Sequence, residues 1–348
     1  MVKRTLKISL YSSIVLIVAL LYGCATPNAE YQKIQNVPML GTTLTIIADI
    51  SADSLTSLLD GAMAIDSTMK AQMSIFDKQS LISRINRGEA DSLTSDIIYN
   101  IRLADSVSRL SGGIYDITVL PLVEAWGFAR KEALSDPNID SLLEFVGYQK
   151  IRVQGGRIIK EDPRTRLDFN SIAKGYTVDK VAELVANMGA ENYLVDIGGE
   201  INCRGVNSRG EGWTIGVESP IDGNMTDGDY LQKAIQISDQ SALRGVATSG
   251  NYRRFYLNDA GEKICHTIDP TTGLSKSSTL LSVTVMAPTC ALADAYATMF
   301  LAAGDQGAMA LVQQIEGIEA YFIFSGDENS EYEYREYMTP RMEAMIRE

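Results

Sequence analysis

The chain has 348 residues, with 44 acidic side chains against 31 basic ones, a formal net charge of −13 and a single histidine. That acidity argues against a nucleic-acid backbone as partner, because phosphate binding needs a basic footprint; a small anionic ligand would need local lysine, backbone amides or a metal ion. Its four cysteines show no C-x-x-C or Cys/His metal spacing, which argues against a zinc ribbon or a thioredoxin-type site.

Residues 1–24 read MVKRTLKISLYSSIVLIVALLYGC, with basic Lys3, Arg4 and Lys7 followed by an apolar run over 14–21, the pattern of a signal peptide. The run is shorter than the roughly 20 residues that cross a bilayer as a helix. Leu21-Tyr22-Gly23-Cys24 resembles a bacterial lipobox, which implies cleavage after residue 23 and lipid on Cys24; an uncleaved N-terminal anchor is the other reading. Both place the body outside the cytoplasm, attached to a membrane. A polar tether over 24–36 should follow, then one globular unit over 37–330, long enough to bury a sizeable core, and a C-terminal tail over 331–348. With Cys24 assigned to lipid, Cys203, Cys265 and Cys290 remain, an odd number that permits one disulfide at most.

Along the body, TTLTIIADI over 42–50 predicts a strand and the apolar spacing over 53–73 a helix. A second helix is expected over 94–110, closed by Ser111-Gly112-Gly113, then an extended stretch over 115–119 before Pro121. Short strands should fill 148–169, and a helix over 171–188 should end at Gly189. Strands are predicted over 193–197, 213–217, 233–238, 280–286 and 319–324, and a helix over 290–303 stopped by Gly304. Helices mixed with hairpin-linked strands make the fold class α+β, with mainly antiparallel sheet.

Three stretches carry candidate chemistry. In LDFNSIAKGYTVDK over 167–180, a strand bearing Asp168 runs into a helix whose first turn holds Ser171, Lys174 and Gly175. A helix N-terminus with a lysine favours an anion, whereas Asp168 and Asn170 as plain helix caps is the alternative. No Walker loop and no G-x-G-x-x-G after a strand is present, so a nucleotide would be held in another way. In ADAYATMF over 293–300, Asp294 and Thr298 are four apart on a helix, and two hard oxygens on one face suit Mg²⁺ as well as an ordinary exposed face. In CHTIDPTTG over 265–273, His266 adjoins Cys265, but neighbours on a strand point to opposite faces, a poor geometry for a Cys-His nucleophile.

Together D-x-x-x-I-A-K-G, H-x-I-D-P-x-T-G and A-D-A-x-A-T, in this order, resemble the ApbE-type flavin transferases, FAD:protein FMN transferases, and the resemblance spans nearly the whole mature chain. It implies that the unit over 37–330 is a flavin transferase catalytic domain that binds FAD and Mg²⁺ and moves FMN onto a threonine or serine hydroxyl of an extracytoplasmic acceptor protein, releasing AMP. It also implies metal ligation by Asp294, Thr298 and backbone carbonyls near Ser171 and Ala297. The flavin and its phosphates would lie against Leu40, Phe76, Ile114, Tyr115, Asp116, Asp168, Lys174 and Ile268. Leu40 and Phe76 depart from the family's usual Met and frequent Tyr at those positions. His266 would act as general base or as a donor to the phosphates, with Asp294 able to share the role, on a turn fixed by Asp269, Pro270 and Gly273; a histidine that only caps the turn is the bland alternative. Two other functions stay open at this point, an FAD pyrophosphatase giving FMN and AMP and a non-catalytic flavin-binding lipoprotein.

Overall fold

The computed structural model describes residues 30–129, 137–221, 231–252, 255–258, 261–275, 278–326 and 334–347. The expected signal peptide and Cys24 lie outside the described residues. No helix among the described residues is long and apolar enough to cross a membrane.

In chain order the first half contains β1 (Gln32–Met39), β2 (Thr42–Ala48), α1 (Leu55–Met73), α2 (Leu81–Asn86), α3 (Ser95–Leu110), α4 (Leu120–Ala125), α5 (Ile139–Leu143), β3 (Ile151–Gln154), β4 (Arg157–Lys160) and α6 (Ala173–Asn187). The second half adds β5 (Tyr193–Ile197), β6 (Glu200–Arg204), β7 (Trp213–Glu218), β8 (Leu231–Ile237), β9 (Gly245–Gly250), β10 (Phe255–Leu257), β11 (Lys263–Cys265), β12 (Leu280–Ala287), α7 (Cys290–Val312), β13 (Glu319–Ser325), β14 (Tyr334–Met338), α8 (Pro340–Met345) and β15 (Ile346–Arg347). Eight strands form one sheet in the order β1-β2-β5-β6-β9-β12-β13-β14, and β15-β8-β7 form a smaller one. Every pairing in both sheets is antiparallel. The fold is α+β, as the mixed pattern predicts.

Period-two alternation sets the layers. In β13, Ala320, Phe322 and Phe324 enter a core shared with α3 and α7, whereas Tyr321 and Ile323 enter a core beneath the small sheet. β12 divides likewise, Val283 and Val285 to the first and Met286 to the second. Both faces of the large sheet are therefore buried, and a one-residue slip would exchange the two apolar sets, which pins the register. A third cluster joins β2 and β5 to α1 and α6 through Leu44, Ile46, Val195, Leu58 and Val181.

Several expectations change. β1 starts inside the expected tether over 24–36, because its pairing with β2 orders it from Gln32. The expected tail over 331–348 belongs to the fold across its described part: β14 extends the large sheet, β15 pairs with β8, and Met342 is fully buried. Residues 115–118 form a turn and not a strand, because the Asp116 carboxylate takes the Thr118 N–H and hydroxyl, both at 2.7 Å, and Val119 makes only an isolated bridge to Arg166. Gly304 (φ 68°, ψ −169°) interrupts α7 as expected, but helix resumes to Val312, with the Asp305 carboxylate accepting from the Leu280 N–H at 2.8 Å.

Gly245 opens β9 where the start of α7 presses on it, and a Cβ there would sit 2.2 Å from the Thr289 carbonyl carbon and 2.3 Å from the Cys290 nitrogen. Backbone meets backbone, so nothing flexible can yield. Gly245→Ala is expected to cost roughly 1–3 kcal/mol of stability, read as a lowered urea midpoint; an unchanged midpoint would contradict this packing.

Candidate active site

The loop entering α6 is pinned from below and open above. Leu167, Phe169 and Ile172 are fully buried, and the Asn86 side chain bonds both the N–H and the C=O of Leu167, each at 2.8 Å. The Asp168 N–H donates to the Ile117 carbonyl at 2.7 Å. Asp168, Asn170 and Ser171, between these anchors, are left to line a cavity of about 300 Å³. The Asp168 carboxylate closes its own turn on the Asn170 N–H at 2.8 Å. It does not cap the helix: the N-cap is Ile172, with no side-chain cap.

α6 and α7 meet at a glycine. A Cβ on Gly175 would lie 2.4 Å from the Cys290 carbonyl oxygen and 2.8 Å from the Asp294 Cβ, so only a residue without a side chain admits this approach. It lets the Gly175 N–H donate to Asp294 Oδ2 at 3.0 Å. One turn along α6, Asp179 receives the Cys290 and Ala291 N–H groups at 2.8 and 2.9 Å, fixing the start of α7. Asp294 and Thr298 then face the same cavity, as their spacing predicts, and Thr298 shares a 3.2 Å hydroxyl contact with Ser249 from β9.

His266 follows β11 and is half-buried, with the Phe128 ring edge-on at 6.2 Å. Its turn is closed by Asp269, whose carboxylate accepts from the Thr271 N–H and hydroxyl at 2.9 and 2.6 Å and whose carbonyl accepts from the Gly273 N–H at 2.8 Å. Gly273 adopts φ +72°, and its carbonyl takes the Trp126 indole N–H at 2.8 Å. Thr267 Oγ1 donates to Asn251 Oδ1 at 2.7 Å, tying the turn to the strand end that follows β9. Cys265 is buried and absent from the cavity wall, and among the described residues none of Cys203, Cys265 and Cys290 is in a disulfide.

Of the expected site residues, Ile114, Tyr115, Asp116, Asp168, Ser171, Lys174, His266, Ile268, Asp294 and Thr298 line this one cavity. Three do not. Ala297, expected to contribute through its backbone carbonyl, is fully buried in the core and is not among the residues that line the cavity. Leu40 sits at the β1–β2 turn (φ 49°), its N–H donating to Asp66 Oδ1 at 3.0 Å. Phe76 lies in the turn after α1 with 64% of its surface exposed. Sequence reasoning did not single out Glu200, which forms an ion pair with Lys174, nor Asp179 and Ser249. Their partners are remote in sequence; the only local signal was Gly198-Gly199-Glu200 after a predicted strand.

Burial dominates the electrostatics. It raises the Asp294 carboxyl to about 6, against the pull of Lys174 and the Gly175 N–H. It lifts Asp116 to about 6 against its bonds from Thr118, and Glu200 to about 7 against Lys174. The Tyr115 phenol, which accepts from Ser171 Oγ at 2.9 Å, is also raised by burial and stays neutral. A buried carboxylate beside the hydroxyls of Ser171, Ser249 and Thr298 is a hard-oxygen donor set, and it fits Mg²⁺ better than a soft metal.

Solved flavin transferases share this overall architecture. The chain superposes on flavin transferase ApbE from Vibrio cholerae with a TM-score of 0.76 at 28% identity, covering 91% of this chain and 100% of that one. On the apo form of Pseudomonas stutzeri flavinyl transferase ApbE it does so with a TM-score of 0.77 at 27% identity, covering 91% and 96%. In sequence it is 33% identical over 308 residues to the FAD:protein FMN transferase of Vibrio cholerae serotype O1, covering 84% of this chain and 87% of that relative. The Haemophilus influenzae protein of the same name is 33% identical over 276 residues, covering 76% and 77%. The ApbE family model matches residues 40–322, and the chain belongs to the ApbE family.

Folded Glu200 keeps a proton that unfolded Glu200 has already released between its ordinary value and about 7, so its contribution to stability is lost as pH rises through that window. Glu200→Gln is expected to flatten the fall in unfolding free energy between about pH 5 and 8, by on the order of 2–3 kcal/mol. Parallel curves for the two proteins in urea titrations would show that Glu200 is not held in this way.

Proposed function

We propose that the chain is an FAD:protein FMN transferase that moves the FMN half of FAD onto a threonine or serine hydroxyl of an acceptor protein outside the cytoplasm. The names carried by its curated relatives support this reading. The observation that carries it in this chain is the convergence of Asp294, Thr298, Ser171, Lys174 and His266 on one cavity. In the reaction the acceptor oxygen bonds to the FMN phosphorus, the pyrophosphate bridge breaks, AMP leaves with the bridging oxygen, and the hydroxyl proton passes to a base.

His266 is the base in this reading. Imidazole is the side chain suited to accepting a proton as general base, and the Asp269 turn and the Phe128 edge hold the ring at the cavity. Asp294 and Thr298, with carbonyls near Ser171 and Ala297, would hold Mg²⁺, whose chemistry there is to neutralise charge on pyrophosphate oxygens. Lys174, in the first turn of α6, faces the phosphates with its ammonium steadied by Glu200. Ile114, Tyr115, Asp116, Asp168 and Ile268 form the wall against the dinucleotide, and Leu40 and the exposed ring of Phe76 offer apolar surface for the flavin beyond it. In this reading the acidic chain has no nucleic-acid partner, and lipid on Cys24, after cleavage of a signal peptide at residue 23, would anchor it to the membrane on the periplasmic side.

Incubation with FAD, Mg²⁺ and candidate extracytoplasmic proteins should release one AMP for each FMN added to the acceptor, read by chromatography and intact mass. Free FMN without any acceptor adduct would overturn the transferase reading in favour of hydrolysis. Asp294→Ala is expected to lower transfer at least ~10³-fold, and His266→Ala ~10²–10⁴-fold with FAD affinity kept. A His266→Ala enzyme of undiminished rate would remove the histidine from the chemistry.

A further inference from the structure

A second cavity, of about 440 Å³, adjoins the first and shares Lys174, Glu200, Thr248 and Gly250 with it. One side of it is an unpaired strand edge. β6 pairs with β9 only at Ile201↔Val246 and Asn202↔Gly245, because the β5–β6 hairpin turns back at Gly198 and Gly199, both at positive φ. β9 runs on to Gly250, and beyond Val246 only β12 pairs with it among the described residues.

In an antiparallel ladder the N–H and C=O of alternate residues address opposite neighbours. The Cys203 N–H donates to the Arg244 carbonyl on the β6 side, and the Asn251 N–H donates to the Leu281 carbonyl on the β12 side. Even-numbered residues of β9 thus address the β6 side. Thr248 and Gly250 are the next two beyond the hairpin, and they are the β9 residues that line the second cavity. Across from them stands β7, an edge strand of the small sheet, with Thr214 and Gly216 facing in. Among the described residues, Asp196, Glu200, Glu218 and Lys174 also border this space.

We propose that this second cavity is the acceptor channel: an extended segment of the acceptor protein pairs main chain to main chain with the β9 edge at Thr248 and Gly250. The segment would present its threonine or serine hydroxyl past the Lys174–Glu200 pair to the reaction cavity. Strand addition to a sheet edge is a common mode of peptide recognition, and glycine in a strand often marks close approach by another backbone. The channel rests on the transferase reading above and adds to it which partner surface is read, an extended backbone at the modified hydroxyl.

The test uses Thr214→Cys, which lies on the channel wall and not on the wall of the reaction cavity. Cys203, Cys265 and Cys290 are buried, so a bulky methanethiosulfonate reagent should reach the new thiol, and the parent chain treated alike controls for Cys24. The acceptor is the purified protein that gains FMN in the transfer assay. Blocking should lower transfer at least tenfold, leave the FAD dissociation constant within twofold, and be reversed by dithiothreitol. Undiminished transfer after complete blocking, or a parallel loss of FAD affinity, would overturn the channel. Saturating acceptor should also slow amide exchange at Thr248 and Gly250 at least tenfold, and unchanged exchange there would overturn strand pairing. Failure of the untreated parent to transfer FMN at all would instead refute the transferase reading.

Discussion

The absence of one side chain sets the position of everything else in the site. Gly175 lets α6 and α7 approach until an α6 amide reaches an α7 carboxylate, and any Cβ at that point would overlap the Cys290 carbonyl. The contact is kept in register by Asp179, which holds the first amides of α7, and by Gly245, which lets β9 pass under the same turn. Three elements remote in sequence are thereby brought within van der Waals reach, and Asp294, Thr298 and Ser249 come to face one space. The core does the holding: buried apolar residues on both faces of the large sheet pin the strand register against which the helices pack.

The same closeness explains the unusual acids. Asp294, Asp116 and Glu200 are buried where their charged forms are poorly solvated, and burial outweighs the favourable partners that each one has. In a purely structural site such groups would be a liability, since apolar residues of similar size often serve stability as well or better. Clustered around a cavity, they make sense as groups whose charge is matched when a cation and an anionic substrate arrive together. The Lys174–Glu200 pair sits on the wall between the two cavities, a position from which it can serve both reactants.

Much of this was readable from the chain. α1, α3, α6 and the first part of α7 announce themselves by period, and β2, β5, β12 and β13 by β-branched and aromatic runs. The i, i+4 spacing of Asp294 and Thr298 placed both on the cavity, and the Asp269 turn was legible from Asp-Pro and a following glycine. β6 and β9 were not. EINCR and GVATSG have weak strand character, and β9 is a strand because β12 pairs along its whole length. Asp179 and Glu200 were not singled out because the amides and the ammonium that they meet come from other elements. Leu40 and Phe76 entered through resemblance alone, and neither is on the cavity wall.

Two cavities share the Lys174–Glu200 wall, and the fold brings them together without a Walker loop or a G-x-G-x-x-G motif after a strand. The central claim is that Asp294, drawn up against Gly175, completes a site for a hard cation. A crystal soaked with Mn²⁺ and measured at its absorption edge tests this most directly. An anomalous peak within coordination distance of the Asp294 carboxylate and the Thr298 hydroxyl is the result this account predicts; Mn²⁺ bound elsewhere, with Asp294 still bonded only to the Gly175 amide, would contradict it.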